Sequence, residues 1–462
     1  MSGGVDTVAP AVTPVLNEAL IEEVKASIRE KREGSLKALI DVMRAADVAD
    51  LIEHLDHEER LWIVDLLKPE GAGEVLLEIE APVQSRILSE LDNDSISQIV
   101  QELDSDDAAD LVGDLPAERA KEIIESVEAD VSIELRKLLP YPEDTAGGIM
   151  ALEYVAVNAG ASVQEAIETV RQKREEVENV YYLFVVDDFG RLVGVVSLKD
   201  LVVEPPERKI RDIMNPEVIS TYVYRDQEEV AHLVKKYDLV AVPVVDENNR
   251  LVGRITHDDI IDVIEEEADE DMALMAGVIR QEIAEESAVK ISRARLPWLI
   301  AGLFGGILAA VVIDQFESSL EKIIALSFFF PVIMALGGNT GTQAATVAVR
   351  GLATGDISVM HIGKRILVEL KVALMNGLIC GFMLGTIVGY WLSDFFLGAV
   401  ISFSLVAIVL TSGFIGAAVP LGLKRLGIDP ALATGPFVTT SNDILSLLIY
   451  LALVTFYLRI TT

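Results

Sequence analysis

The chain has 462 residues, 51% of them hydrophobic, and 74 acidic against 38 basic residues give a formal net charge of −36. One cysteine, Cys380, rules out an intramolecular disulfide and a thiolate metal centre, and five histidines disfavour an imidazole-rich zinc site. A surface this acidic would repel a phosphate backbone, so nucleic acid is not an expected partner. The charge is uneven: residues 291–462 hold 8 acidic and 10 basic residues, leaving 66 and 28 in residues 1–290. The first part is near −38 and the second near +2. A soluble region with that excess repels itself unless cations neutralise it.

Met1 to Pro10 has neither a basic n-region nor an apolar h-region, so no cleaved leader is expected. Residues 37–139 then repeat with a 12-residue step, as in KALIDVM (37), ADLIEHL (49), SRILSEL (85) and ADLVGDL (109). Each unit reads as a short amphipathic helix that cannot bury its face alone, so neighbours must stack into a superhelix. Residues 1–140 are therefore expected to form an acidic helical N domain. Most of it reads as scaffold. In Asp104-Ser105-Asp106-Asp107-Ala108-Ala109-Asp110, Asp106 and Asp110 share a helix face. Such a pair suits either solvent or a divalent ion.

Residues 141–267 carry a different repeat. VVDDFGRLVGVVSLKDL (185–201) recurs as VVDENNRLVGRITHDDI (244–260), 59 residues on. Each copy reads as a strand, a turn, a strand and a helix start, preceded by an amphipathic helix (Val163–Arg174, Gln227–Tyr237). The pattern resembles a tandem pair of cystathionine-β-synthase (CBS) modules, which are α/β and commonly bind adenine nucleotides. That resemblance implies ATP as a ligand, with Gly194, Ser197, Asp200 and Gly253, Thr256, Asp259 matching the nucleotide signature.

A helix is predicted to continue from the second module through DDIIDVIEEEADEDMALMAG (258–277) into a connecting segment over 268–295. Asp259, Asp262, Glu266 and Asp269 fall on one stripe, beside Glu270 and Asp271. Alone, this is a solvated charge run. Between an acidic domain and a membrane, it reads as a cation-responsive element.

Residues 296–462 hold five stretches long enough to span a bilayer: Leu296–Ile313, Ile323–Val349, Val372–Ser393, Phe395–Leu423 and Ala431–Leu458. Arg293, Arg295, Arg350, Lys364, Arg365, Lys371, Lys424 and Arg425 all fall in loops on one side. This places the N-terminal region in the cytosol of a cell inner or plasma membrane, and five spans leave the C-terminus outside. In the second span, Pro331 and the glycines of GGNTGTQ (337–343) predict a break or a tilt, with close packing through small residues as the other reading. Gly435 and Pro436 predict a break in span five.

Asp443 is the only charge within the five spans, twelve residues from one end of its span and fifteen from the other. There a carboxylate must face water or a cation, or bond to a neighbouring helix. Thr439, one turn back, shares its face. Oxygen-only ligands select hard cations such as Mg²⁺, Ca²⁺ or Mn²⁺, and Mg²⁺ keeps most of its waters. Two copies of Asp443 on a twofold axis could face one hydrated ion. No nucleophile–base pair or metal triad falls in the spans, so an enzyme is not expected.

The whole layout resembles the MgtE family of magnesium transporters. GGNTGTQ (337–343), DPALATGPFVTTSND (429–443) and EDTAGGIM (143–150) look like its signatures. The resemblance implies a homodimer with a central pore, held shut by cytosolic Mg²⁺. It places Asp443 at the pore ion, with Thr439 and Gly435 on the same stretch. Asp106 and Asp110 of the N domain, Asp238, Asp259 and Asp262 of the CBS pair, and Glu270 and Asp271 of the connecting (plug) helix are then regulatory Mg²⁺ ligands. A transporter of Co²⁺ or Mn²⁺ with a nucleotide-regulated CBS pair is the alternative.

Overall fold

The computed structural model describes residues 16–174, 177, 179–278, 288–354, 362–433 and 435–461. It comprises two compact units, Met1–Ile264 and Glu265–Thr462.

In the first unit, α1 (Glu18–Arg29) precedes nine helices that begin twelve residues apart: α2 (Glu33–Ile40), α3 (Ala45–Glu53), α4 (His57–Leu66), α5 (Pro69–Glu78), α6 (Ala81–Glu90), α7 (Asn93–Val100), α8 (Ser105–Gly113), α9 (Ala117–Ser126) and α10 (Ala129–Leu138). Packing joins alternate helices, α3 to α5, α5 to α7, α7 to α9 and α8 to α10. Helices this short leave many end carbonyls without partners. Side chains of the next helix satisfy several of them. Arg60 donates to Ile52 O and Glu53 O, Gln84 to Leu76 O at 2.8 Å, and Ser132 to Ile124 O at 2.7 Å.

Each CBS module is a three-stranded sheet. In the first, β1 (Ala156–Asn158) lies parallel to β2 (Tyr182–Val186), which pairs antiparallel with β3 (Leu192–Ser197). Helices α11 (Val163–Gln172) and α12 (Leu198–Val203) flank them. The second module repeats the order with β4 (Thr221–Tyr222), α13 (Gln227–Tyr237), β5 (Ala241–Val245) and β6 (Leu251–Thr256). Both sheets shift register at equivalent places, Val185/Val186 and Val244/Val245. The edge strands β1 and β4 escape sequence reading because they are too short to show a period. The first module has its own core, whereas the core of the second (Val230, Val242, Val244, Ile255) merges with that of the N domain.

The connecting helix α14 (His257–Ala276) starts directly after β6 and ends at Gly277, whose φ of +72° suits glycine and stops the helix. The predicted connecting segment over 268–295 is thus not one helix through its described part. Residues 279–287 of that segment, and His361, lie outside the described residues.

Among the described residues, five helices of the second unit are long and apolar enough to cross a membrane: Ala288–Gln315, Ile324–Ala353, Ile362–Leu392, Phe395–Arg425 and Phe437–Ile460. They correspond to α15 (Ala288–Gln315), α17 (Phe330–Ala353) with a preceding 3-10 segment, α18 (Ile362–Leu392), α19 (Phe395–Arg425) and α20 (Pro436–Thr461), with the short α16 (Glu317–Lys322) between the first two. Three expectations change. Helix α17 runs unbroken through 337–343, because its glycines pack against neighbouring helices: a methyl at Gly416 would stand 3.0 Å from Gly341 Cα. Pro331 sits harmlessly in its first turn. Helix α18 starts ten residues before Val372, its charged turns supported by an Arg365–Glu369 ion pair one turn apart. Gly435 and Pro436 begin α20 rather than break it, so Asp443 lies seven residues, about 10 Å, from the helix start and not near its middle.

Candidate functional site

Helix α20 is packed by α15, α17 and α19. Its Asp443 is half-buried, and its carboxylate makes no hydrogen bond or ion pair to any described residue. Gly338 of α17 lies opposite: a methyl there would stand 3.9 Å from both Asp443 Oδ1 and Thr439 Cγ2. Thr439 is exposed, and its hydroxyl donates to Gly435 O at 3.4 Å. Asp443, Thr439 and the Gly435 carbonyl thus form a line of oxygens along one face. At its foot, a methyl on Gly435 would stand 3.3 Å from Leu274 O and 3.4 Å from Met275 O, so the last turn of α14 abuts the start of α20. In α14, Glu270 is exposed and Asp271 half-buried.

A second acidic group lies where α8 meets the CBS pair. Asp106 is buried and Asp107 is its neighbour, donating its backbone N–H to Asp106 Oδ1 at 3.0 Å. Ser105 Oγ donates to Glu153 Oε2 at 2.7 Å and accepts from Leu152 N at 2.8 Å, which draws the Glu153 carboxylate to the first turn of α8. Burial pushes the Asp106 carboxyl well above the usual range, helped by Asp107, Asp259 and Glu153. Burial likewise raises Asp107 to about 7, with Asp259, Asp104, Glu153 and Asp262 adding to it. Of the predicted set, Asp106, Asp259 and Asp262 therefore share one field.

Asp110 is exposed, because the covering segment meets α8 at its first turn. Asp238 is exposed too and ends α13 in the left-handed conformation, φ 51°. Asp107 and Glu153 were missed by the sequence reading. Asp107 lies off the Asp106–Asp110 face, and Glu153 is 47 residues from Asp106 in the chain. Among the described residues, no three Asp, Glu, His or Cys converge closely enough to ligate one ion directly. The donor set still fits Mg²⁺, which keeps several waters and needs one or two carboxylates.

In the CBS pair, Ser197 Oγ donates to Asp200 Oδ2 at 2.6 Å and accepts from Asp200 N; Thr256 Oγ1 donates to Asp259 Oδ2 at 2.7 Å. Both pairs cap the helix that follows. A narrow cleft elsewhere is lined by Asn179, Tyr181, Tyr182, Ala241 and the buried Arg254.

Three family models match in chain order. They are the MgtE intracellular N domain (43–144), the CBS domain (146–206 and 210–266) and MgtE, described as a divalent cation transporter (330–453). The magnesium transporter MgtE of Bacillus subtilis (strain 168) is 34% identical over 96% of this chain and 98% of its own. The chain belongs to the MgtE family. The MgtE of Thermus thermophilus is 39% identical over 93% of this chain and 98% of its own. Among solved structures, the cytosolic domain of the Mg²⁺ channel MgtE in complex with ATP matches at 36% identity, with a TM-score of 0.50, covering 53% of this chain and 99% of that one. An N domain, a CBS pair and a helical region with five apolar spans are thus the architecture of an MgtE protein, and membrane magnesium transport is the function its relatives are named for.

Proposed function

We propose that this MgtE protein conducts Mg²⁺ through a pore lined by α20 and reads cytosolic Mg²⁺ with its acidic half. The carrying observation is Asp443: a carboxylate without a hydrogen-bond or ion-pair partner among the described residues, inside an apolar bundle, on a face with Thr439 and the Gly435 carbonyl. Such a group is costly unless it meets water or a cation. A twofold pair of chains would present two of these carboxylates to one hydrated ion. An inside-negative potential favours a dication's entry by roughly 4.6 kcal/mol per 100 mV. The basic loops argue for a cytosolic N-terminal half and an external C-terminus.

In the cytosolic half, Asp106, Asp107, Glu153, Asp259 and Asp262 repel one another when ionised, which opposes the packing that brings them together. Asp110, Asp238, Glu270 and Asp271 belong to the same acidic system. These carboxylates would hold hydrated Mg²⁺ and so favour the compact arrangement, in which the end of α14 sits against the start of α20. Binding to one state shifts the population toward it. ATP is the ligand we assign to the CBS pair, with Ser197, Asp200 and Thr256 as signature residues. The rival cargo is Co²⁺ or Mn²⁺.

The test is Mg²⁺ flux into proteoliposomes for wild type and Asp443→Ala, with Mg²⁺ varied on the side bearing the acidic half. Flux lost in the variant, and wild-type flux falling as that Mg²⁺ rises, are the expected results. Unchanged flux in Asp443→Ala removes this carboxylate from the ion path. Faster flux of Co²⁺ or Mn²⁺ under competition replaces Mg²⁺ as cargo.

A further inference from the structure

Three side chains of α20 enter notches that only glycine leaves open. A methyl added at Gly341 of α17 would overlap Asn442 Nδ2 and stand 3.0 Å from Asn442 Cγ. One at Gly337 would overlap Ser446 Oγ, and one at Gly305 of α15 would overlap Thr440 Cγ2 and stand 3.2 Å from Thr440 Cβ. Asn442 and Ser446 are 0% and 1% exposed, and neither the amide atoms of Asn442 nor Ser446 Oγ finds a hydrogen-bond partner among the described residues. A buried polar group without a partner costs about 1–3 kcal/mol, which an apolar side chain would avoid. Stability alone therefore does not explain an asparagine here.

Its position does. At roughly 100° per residue, Thr440 lies about 60° to one side of Asp443, while Ser446 and Asn442 lie about 60° and 100° to the other. The keyed side chains thus grip α20 on both flanks, against α15 and α17. Between them, Asp443 and Thr439 face Gly338, where an added methyl would meet both at ordinary contact distance. A small rotation of α20 would carry the carboxylate off that line, and the most buried key, Asn442, is the adjacent residue.

We infer that Asn442, keyed into Gly341, is the positioning residue that sets the rotation of the pore helix and so the place of the Asp443 carboxylate in the ion path; this rests on the transport reading above. Gly341→Ala should push Asn442 out of its notch and turn α20. Asn442→Ala in the same chain should relieve the overlap, and the next nearest atom, Val438 Cγ1, stands 3.1 Å away. In proteoliposomes of the full chain, Gly341→Ala is expected to lower Mg²⁺ flux roughly tenfold and to lower the Mg²⁺:Ca²⁺ flux ratio, with the double variant restoring both to the level of Asn442→Ala alone. A loss of packing without rotation would not change the ratio.

If Gly341→Ala does not yield folded protein, Gly305→Ala with Thr440→Ala runs the same cycle from the other flank. A second readout needs no transport: the reaction rate of Thr439→Cys, in a Cys380→Ala background, with a water-soluble thiol reagent. Gly341→Ala should change that rate and Asn442→Ala should restore it. Wild-type vesicles that carry no Mg²⁺ would overturn the transport reading, and the thiol cycle would then decide the keying. A flux ratio and thiol rate indifferent to Gly341→Ala, or no rescue by Asn442→Ala, overturn the inference.

Discussion

Asp107 lets the electrostatic account of the acidic half be tested without any ion. Its carboxyl is raised from 3.8 to about 7 by burial and by Asp259, Asp104, Glu153 and Asp262. An acid whose folded-state pKa is raised binds its proton more tightly when folded. Stability is therefore greatest below the unfolded pKa and falls as pH rises from near 4 through 7. At 1.36 kcal/mol per pKa unit, the raised pKa of Asp107 destabilises the folded form, relative to low pH, by roughly 4 kcal/mol at pH 8.5 and about 1.5 kcal/mol at pH 5. Asp107→Asn removes this dependence. Relative to wild type, the variant should gain about 2.5 kcal/mol between pH 5 and pH 8.5, a change that includes the coupling of Asp107 to Asp106. The assay is unfolding of the detergent-solubilised full chain by scanning fluorimetry and denaturant, in chelator, across that range. Adding Mg²⁺ should narrow the gap at pH 8.5, because cations offset the same repulsion. A gain that does not change with pH, or a variant less stable at pH 8.5 than at pH 5 relative to wild type, would refute the reasoning.

Other outcomes follow from single contacts. Ser105→Ala removes the hydroxyl that joins α8 to Glu153 and Leu152, and should cost about 1–2 kcal/mol, read as lower denaturant resistance with faster amide exchange over 149–155. Gly277→Val puts a β-branched side chain at φ +72° and should fray the end of α14, seen as faster exchange over 270–276, by about 1–2 kcal/mol. Tyr450→Phe deletes the buried hydrogen bond to Leu326 O at 3.0 Å and should lower the stability of the membrane unit by about 1 kcal/mol, measured as a lower thermal midpoint in detergent.

Much of this protein is written in local periodicity. The 12-residue step in the apolar pattern becomes helices that begin at Glu33, Ala45, His57 and onward at the same interval, because a short amphipathic helix is defined by residues within two turns of each other. The 59-residue repeat likewise becomes two sheets with the same order and the same register shift. Apolar length alone locates five candidate spans, and composition alone singles out Asp443 as the charge among them. Other features depend on neighbours that the local sequence does not contain. Whether the glycines of 337–343 break a helix or admit another one is decided by what approaches them, and α19 and α20 do so closely enough to keep α17 whole. Glu153 joins Asp106 and Asp107 only because the N domain and the second CBS module share a core. Asn442 reads as one more small polar residue beside Asp443 until Gly341 is seen to leave room for nothing larger than a hydrogen. Periodicity follows from the geometry of one segment. The fields around the acidic cluster and the rotation of α20 follow from how distant segments stack.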